Sequence, residues 1–242
     1  MSSYERTYNF PAPSQLWWGA LDFLRLMLSP VFYMVEGAAY GLQRRWRRER
    51  RRRAVGRSYD MALEIARSVP RRSRVLDVGC GSGYIAQHLA GLLGASVVGL
   101  DVRKSADAPI EYVRFDGKLL PVPSSSFDAV LLCYVLHHAQ EQRAFLTEVR
   151  RALRDGGVAV VYEDIPASPW DRAVCFSHER SWRGRTGPCT FRLGDDWRGL
   201  FRSCGFEVTA ERPLSRWRNL AHPVSRRLFV LRAAGPAREN KA

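Results

Sequence analysis

Val75-Leu76-Asp77-Val78-Gly79-Cys80-Gly81-Ser82-Gly83 is the stretch on which the fold turns. A short run of β character enters a turn with glycine at alternate positions, and Tyr84 to Leu93 continues as a helical pattern. Glycines at 79, 81 and 83 let the backbone turn tightly and approach a ligand closely. The spacing is G-x-G-x-G, whereas a nicotinamide-dinucleotide fingerprint would need glycine where Tyr84 stands. Asp77 lies inside the motif and would repel a pyrophosphate. The loop therefore suits a cofactor that carries positive charge and no phosphate.

Outward from this loop, β-rich and helical runs alternate. Strands are predicted at Arg74 to Val78, Ser96 to Leu100, Ile110 to Phe115, Phe127 to Cys133 and Val158 to Tyr162. Gln140 to Leu153 reads as a helix with Phe145, Leu146, Val149 and Leu153 as its apolar stripe, and Asp195 to Ser203 as a second helix stopped by Gly205. The segments VVGL and AVLLC are apolar throughout, as strands covered on both faces are. The alternation predicts a doubly wound, mostly parallel α/β sheet. Val102 to Pro109 leaves room for at most two helical turns in the second crossover. Phe206 to Ala210 and Leu228 to Leu231 read as two closing strands, and Val55, Tyr59, Ala62, Leu63, Ala66 and Val69 as a helical stripe ahead of the sheet, ended by Pro70.

Asp101 closes the second strand 22 residues after Gly79, where a carboxylate can accept from both ribose hydroxyls, and Asp116-Gly117 follows the third strand. Ligands of open α/β sheets bind at this carboxyl edge, so Asp77, Asp101 and Asp116 are expected to converge on one molecule. Each Asp taken alone reads first as a turn or capping residue, and it is the three in register that point to a ligand.

VLDVGCGSG, GLD, FDGKLLPVPSSSFDAVLLCYVLHH and the LRDGG turn together resemble the class I S-adenosylmethionine-dependent methyltransferases, in particular their small-molecule, ubiquinone/menaquinone-type branch. The resemblance is strong over Arg74 to Glu163 and weaker from FRLGDDWRGLFRSCGF to LFVLR. It implies a Rossmann-like seven-stranded sheet with an antiparallel C-terminal hairpin, and S-adenosyl-L-methionine as cofactor. Gly79-Cys80-Gly81 would pass under the methionine part with Asp77 near its amino group. Asp101 would hold the ribose, Val102 would flank the adenine, Asp116 would receive the adenine amino group beside Gly117, and Cys133 would offer its carbonyl to the methionyl amine.

Methyl transfer from a sulfonium needs alignment and desolvation more than a catalytic triad. Candidate bases are His137, His138 and His178, with Glu163 and Asp164. A nucleic-acid amino-methylation motif would place Asn/Asp-Pro-Pro-aromatic after the fourth strand, where Cys133-Tyr134-Val135-Leu136 stands, and the Pro188-Cys189 pair is too far downstream for a pyrimidine nucleophile. The insert of residues 165–192, with Trp170, Phe176, His178, Trp182 and Phe191, would shape the acceptor site or pack on the sheet. No metal is expected, because Cys175-x-x-His178 with Cys189 and Cys204 lacks a second closely spaced ligand pair.

The 242 residues carry a net charge of +14, built on 35 Arg and three Lys. Half of it sits in Arg44 to Arg53, where eight Arg surround Trp46 and Glu49. Leu16 to Leu42 precedes this run and is the most apolar part of the chain, but Asp22, Arg25 and Glu36 interrupt it, leaving it short of the roughly 20 residues of a membrane span. Trp17, Ala20, Leu21, Leu24, Met27 and Leu28 share one helical face, and Ser29-Pro30 restarts a second, more apolar segment. These helices read either as accessory packing elements or as an interfacial pair with the Arg run on anionic lipid. The expected organisation is an N-terminal helical extension at 1–53, a methyltransferase domain at 54–234 and a disordered tail at 235–242. Five Cys without C-x-x-C spacing point to a reducing cytoplasmic compartment, with peripheral contact at the inner membrane face as a further expectation. The expected partner is a small-molecule or lipid acceptor, with oligomerisation open. Two alternatives stand beside this: an RNA or DNA methyltransferase using the Arg run, and a non-catalytic binding or scaffold subunit with the same fold.

Overall fold

The computed structural model describes residues 55–233 without interruption, together with residues 28, 38–39, 41–49 and 52–53. The expectations for Leu16 to Leu42 fall almost wholly outside the described residues, as does the tail. The chain separates into two compact units, residues 1–54 and 55–242. In the first, residues 41–49 are helical, and all but Gly41 are exposed. Among the described residues no helix is long and apolar enough to cross a membrane.

The second unit is organised on one seven-stranded sheet, β1 (Arg74–Val78), β2 (Ser96–Asp101), β3 (Glu111–Arg114), β4 (Phe127–Cys133), β5 (Leu153–Asp164), β6 (Phe206–Leu214) and β7 (Arg226–Ala233). Its order is β3-β2-β1-β4-β5-β7-β6. The first five strands pair in parallel, while β7 runs antiparallel to both β5 and β6. Strand order switches between β1 and β4 and β7 alone runs against the other strands, so the carboxyl ends of β1 to β5 share one edge.

Side-chain alternation divides the core into two layers. Leu76, Val78, Val130, Leu132, Ala159 and Val161 pack with Trp197, Phe201 and Phe229 on one face. Val75, Leu131, Val160 and Tyr162 pack on the other with Ala62, Ile65 and Leu89. The helices covering these faces are α1 (residues 55–65), α2 (Tyr84–Leu93), α3 (Gln142–Ala152), α4 (Pro169–Thr186) and α5 (Gly194–Ser203). Phe145, Leu146, Val149 and Ala152 form the buried stripe of α3, and Trp197, Leu200 and Phe201 that of α5.

Two expectations are corrected, the stripe ahead of the sheet and the end of α3, and two segments left open are settled. The buried stripe ahead of the sheet is Ala62, Ile65 and Val69, whereas Tyr59 and Leu63 are exposed and the helix ends at residue 65. No helix forms between β2 and β3, so that crossover is irregular. Leu153 belongs to β5 rather than to α3, pairing with Phe127 of β4, and the irregular turn that follows has Gly156 at positive φ and Gly157 where a Cβ would lie 2.9 Å from the Arg154 carbonyl. Most of the 165–192 insert is the 18-residue helix α4. Ser168 caps α4: its Oγ accepts from the Asp171 amide, the Asp171 carboxylate accepts from Ser168, and Pro169 occupies the first turn, where no amide donor is needed.

Candidate functional site

Asp77 is the next-to-last residue of β1 and is 1% exposed. Among the described residues neither carboxylate oxygen has a hydrogen-bond partner. A buried, unpaired carboxylate is costly. Burial first and the neighbouring Asp101 second push its pKa up to about 7. On the adjacent strand Asp101 is also buried, but it is engaged: one oxygen accepts from the Gly81 amide at 2.7 Å and the other from the Arg103 amide at 3.0 Å. The Gly-rich turn is thereby clasped to the end of β2, reinforced by the Gly79 and Cys80 amides, which both donate to the Leu100 carbonyl.

The glycines of the turn serve different needs. Gly79 has φ +69, and a Cβ there would lie 2.3 Å from Val135 Cγ2, so packing alone demands glycine. Gly81 has φ +56, and its Cβ position meets nothing within 4 Å, leaving open space beside the turn. An orphaned buried anion next to a glycine-floored opening fits a cationic ligand, and S-adenosylmethionine carries both an ammonium and a sulfonium.

Of the other expected cofactor residues, Cys133 ends β4 in register with Tyr162 of β5. Burial first, then the charges of Asp77 and Glu163, push its thiol well above the ordinary range, which disfavours the reactive thiolate. Tyr134, the next residue, is held at φ +62, and its amide donates to the Tyr162 carbonyl. Val102 is exposed at the end of β2, with its Cγ1 facing the Gly117 turn. Asp116 is exposed one strand further out, and one of its oxygens accepts from the Lys118 amide as a turn residue does. Asp77, Asp101 and the glycine turn are brought into contact. Asp116 shares their edge without touching them.

The three candidate histidines, two from the turn after β4 and one from α4, meet beside Glu163 near the end of β5. Glu163 and His137 are both 0% exposed. One Glu163 oxygen accepts from the amides of Val135 at 3.2 Å and Leu136 at 2.8 Å, while the other lies 2.6 Å from His137 Nδ1. His137 Nε2 is 3.3 Å from His178 Nε2, which is 3.3 Å from His138 Nε2. His138 Nδ1 lies 3.0 Å from Thr186 Oγ1 and 3.3 Å from Cys189 Sγ. Phe191 stacks on His137, and Trp182 packs on His138 and His178. Burial opposes charge on His137, but the charge and hydrogen bond of Glu163 outweigh it and raise the pKa. Burial and the neighbouring imidazoles lower His138 to about 3 and His178 to about 4.

Asp164 holds a fourth histidine: one oxygen is 2.8 Å from His222 Nε2, whose ring lies 5.2 Å from that of His178, and the other is 3.0 Å from Arg226 Nε. His222 was not anticipated from the sequence. A groove of about 460 Å³ lies nearby between the N-terminal ends of α3 and α5, lined by Gln140, Arg143, Thr190, Arg192, Asp195 and Asp196 among others, and contains none of the candidate residues.

Residues 76–161 match the family model described as a methyltransferase domain. The chain is 29% identical over 164 residues to a sterol 24-C-methyltransferase of Yarrowia lipolytica, covering 60% of this chain and 42% of that one. It is 39% identical over 116 residues to a fatty-acid O-methyltransferase of Mycolicibacterium smegmatis, covering 42% of each. The chain thus spans about two-fifths of the length of these curated relatives. A solved S-adenosylmethionine-dependent methyltransferase from Methanosarcina mazei superposes with a TM-score of 0.57 at 19% identity, covering 71% of this chain and 97% of the other, a likeness of fold.

Proposed function

We propose, for a chain that belongs to the class I S-adenosylmethionine-dependent methyltransferases, that it transfers the methyl group of S-adenosylmethionine to a small hydrophobic or lipid-like acceptor. The observation that carries the reading is the buried, unpaired carboxylate of Asp77 beside the Asp101–Gly81 clasp. Asp77 would pair with the methionyl ammonium, Gly79-Cys80-Gly81 would floor the methionine, and the Cys133 carbonyl would accept from the same amine. Asp101 would accept from the ribose hydroxyls through its remaining lone pairs, with Val102, Asp116 and Gly117 on the adenine side. When bound, the cofactor supplies an electrophilic methyl group on a good leaving group. The residues around it then contribute alignment and exclusion of water.

The test is titration calorimetry on the full chain. Wild type should bind S-adenosylmethionine, and Asp101→Ala should bind it about tenfold more weakly, because both the clasp on Gly81 and the ribose acceptor are lost, on the scale of roughly 1.4 kcal/mol per tenfold. No binding in wild type would remove enzymatic methyl transfer and leave a scaffold role. The acceptor is then sought by mass spectrometry, as species heavier by one methylene that disappear on gene deletion.

The lipid-like acceptor is supported by the sterol and fatty-acid chemistry in the relatives' names and by the exposed aromatics Trp170 and Phe176 on α4. A peripheral membrane position is supported by the exposed Arg45, Arg47 and Arg48 of the N-terminal helix. Flotation with anionic vesicles should recover the full chain, lose it on deletion of residues 44–53, and weaken with salt. Binding to RNA in place of vesicles, lost on the same deletion, would move the acceptor to nucleic acid.

A further inference from the structure

We propose that His137, His138 and His178 form a binding site for one divalent cation of the zinc class, a role separate from holding the methyl donor. One nitrogen from each of the three residues lies within 4.8 Å of the others. The two closest pairs share His178 Nε2, each at 3.3 Å. A tetrahedral zinc with bonds of about 2.0–2.1 Å to imidazole has ligand-to-ligand edges of roughly 3.3–3.4 Å. Two of the three separations match those edges, and the third pair, His137 with His138, lies within 4.8 Å.

Protons serve this arrangement poorly. His178 Nε2 carries at most one proton, yet it faces two other imidazole nitrogens, both beyond the roughly 2.7–3.2 Å usual for N–H hydrogen bonds. Nor is the orientation accidental. His137 turns its Nδ1 to the Glu163 carboxylate and His138 turns its Nδ1 to Thr186 Oγ1, so both direct Nε2 toward His178. Metal-bound histidines characteristically rest their second nitrogen on a carboxylate or another oxygen in this way. An all-imidazole set selects zinc, cobalt, nickel or copper over magnesium and calcium. Three protein nitrogens leave a fourth tetrahedral position for water or an exogenous ligand.

Distance along the chain hid this site, because His137 and His138 belong to the turn after β4 and His178 to the middle of α4. Of the ligands considered in the sequence, His178 alone takes part. Cys189 Sγ approaches the far nitrogen of His138, and Cys175 is buried within α4.

The full chain, stripped with chelator and reloaded with Zn²⁺ or Co²⁺, provides the test. One equivalent per chain should survive dialysis, and the cobalt form should show intense tetrahedral d–d absorption in the visible, without the thiolate charge-transfer band of a cysteine ligand. His138→Ala and His178→Ala should each lose affinity by about 100-fold while retaining the wild-type circular dichroism spectrum, and Cys189→Ser should leave the cobalt spectrum unchanged. Both histidines are partly exposed, so folding should survive their replacement. Failure of wild type to retain metal, an octahedral cobalt spectrum, retention of metal by both histidine variants, or a spectrum altered in Cys189→Ser would each overturn the proposal. Because the readout is metal content and absorption, the result is independent of S-adenosylmethionine binding.

Discussion

Asp77→Asn is expected to weaken S-adenosylmethionine binding by roughly 100-fold or more, the scale of removing one partner of a desolvated charge pair, and at the same time to stabilise the apoprotein above neutral pH. The two effects share one cause. In the folded chain without ligand, burial and Asp101 raise the Asp77 pKa from 3.8 to about 7. The folded state then binds more protons than the unfolded state between those values, so apoprotein stability falls as pH rises from about 4 to about 7, by up to ~4 kcal/mol. Asparagine fills the same volume without charge and escapes that loss. The variant should therefore melt above wild type at pH 8 and alongside it near pH 4. Ligand binding runs in the opposite sense, because a cation needs the carboxylate ionised. Wild-type affinity should fall about tenfold per pH unit below the apo pKa, while the affinity of Asp77→Asn stays flat. Calorimetry at pH 8 and pH 6 with parallel thermal melts reads both. Wild-type-like binding by the variant, or a wild-type affinity indifferent to pH, would remove Asp77 from the cofactor site.

The parts of this site that could be read from the sequence are those fixed by local rules. Strand alternation and an edge rule suffice to place Asp77 and Asp101 at one edge, since each lies at the end of a short apolar strand and β1 and β2 pair in parallel with Asp77 opposite Gly99. Asp116 obeyed the same edge rule, but its own turn engages it, and a sequence pattern does not reveal which use prevails. The α4 helix buries little beyond Asp171 and Cys175, so no apolar stripe marks it in the sequence. Its signal was the cap, Ser168-Pro169 followed by Asp171, inside a stretch read for its aromatic content. The histidine triangle has no local signature at all. It exists because α4 folds back over the turn after β4, a tertiary event to which the spacing of 40 residues between His138 and His178 gives no clue.

Glu163 links that turn to the sheet, and its replacement should be the most destabilising single change in the site. Glu163→Ala leaves the amides of Val135 and Leu136 and the ring of His137 without their acceptor in a buried place. The cost should reach ~3–5 kcal/mol, as for breaking a buried hydrogen-bonded ionic group. At roughly 2–4 °C per kcal/mol for a chain of this size, the melting temperature should drop by about 10 °C. Glu163→Gln separates the structural role from the positioning role. The carboxamide oxygen can still accept from both amides, holding the loss to ~1–2 kcal/mol. Its NH₂ group, however, would donate where the carboxylate accepted. His137 must then present a lone pair at Nδ1 and carry its proton on Nε2, the nitrogen that faces His178. Imidazole ¹⁵N resonances of metal-free protein should report this change of tautomer, and metal affinity should fall about 10- to 100-fold, as it does when an outer-shell partner is lost. A Glu163→Ala protein as stable as wild type would show that the turn after β4 is held by other contacts. A Glu163→Gln protein with the wild-type tautomer would show that His137 does not take its orientation from the carboxylate.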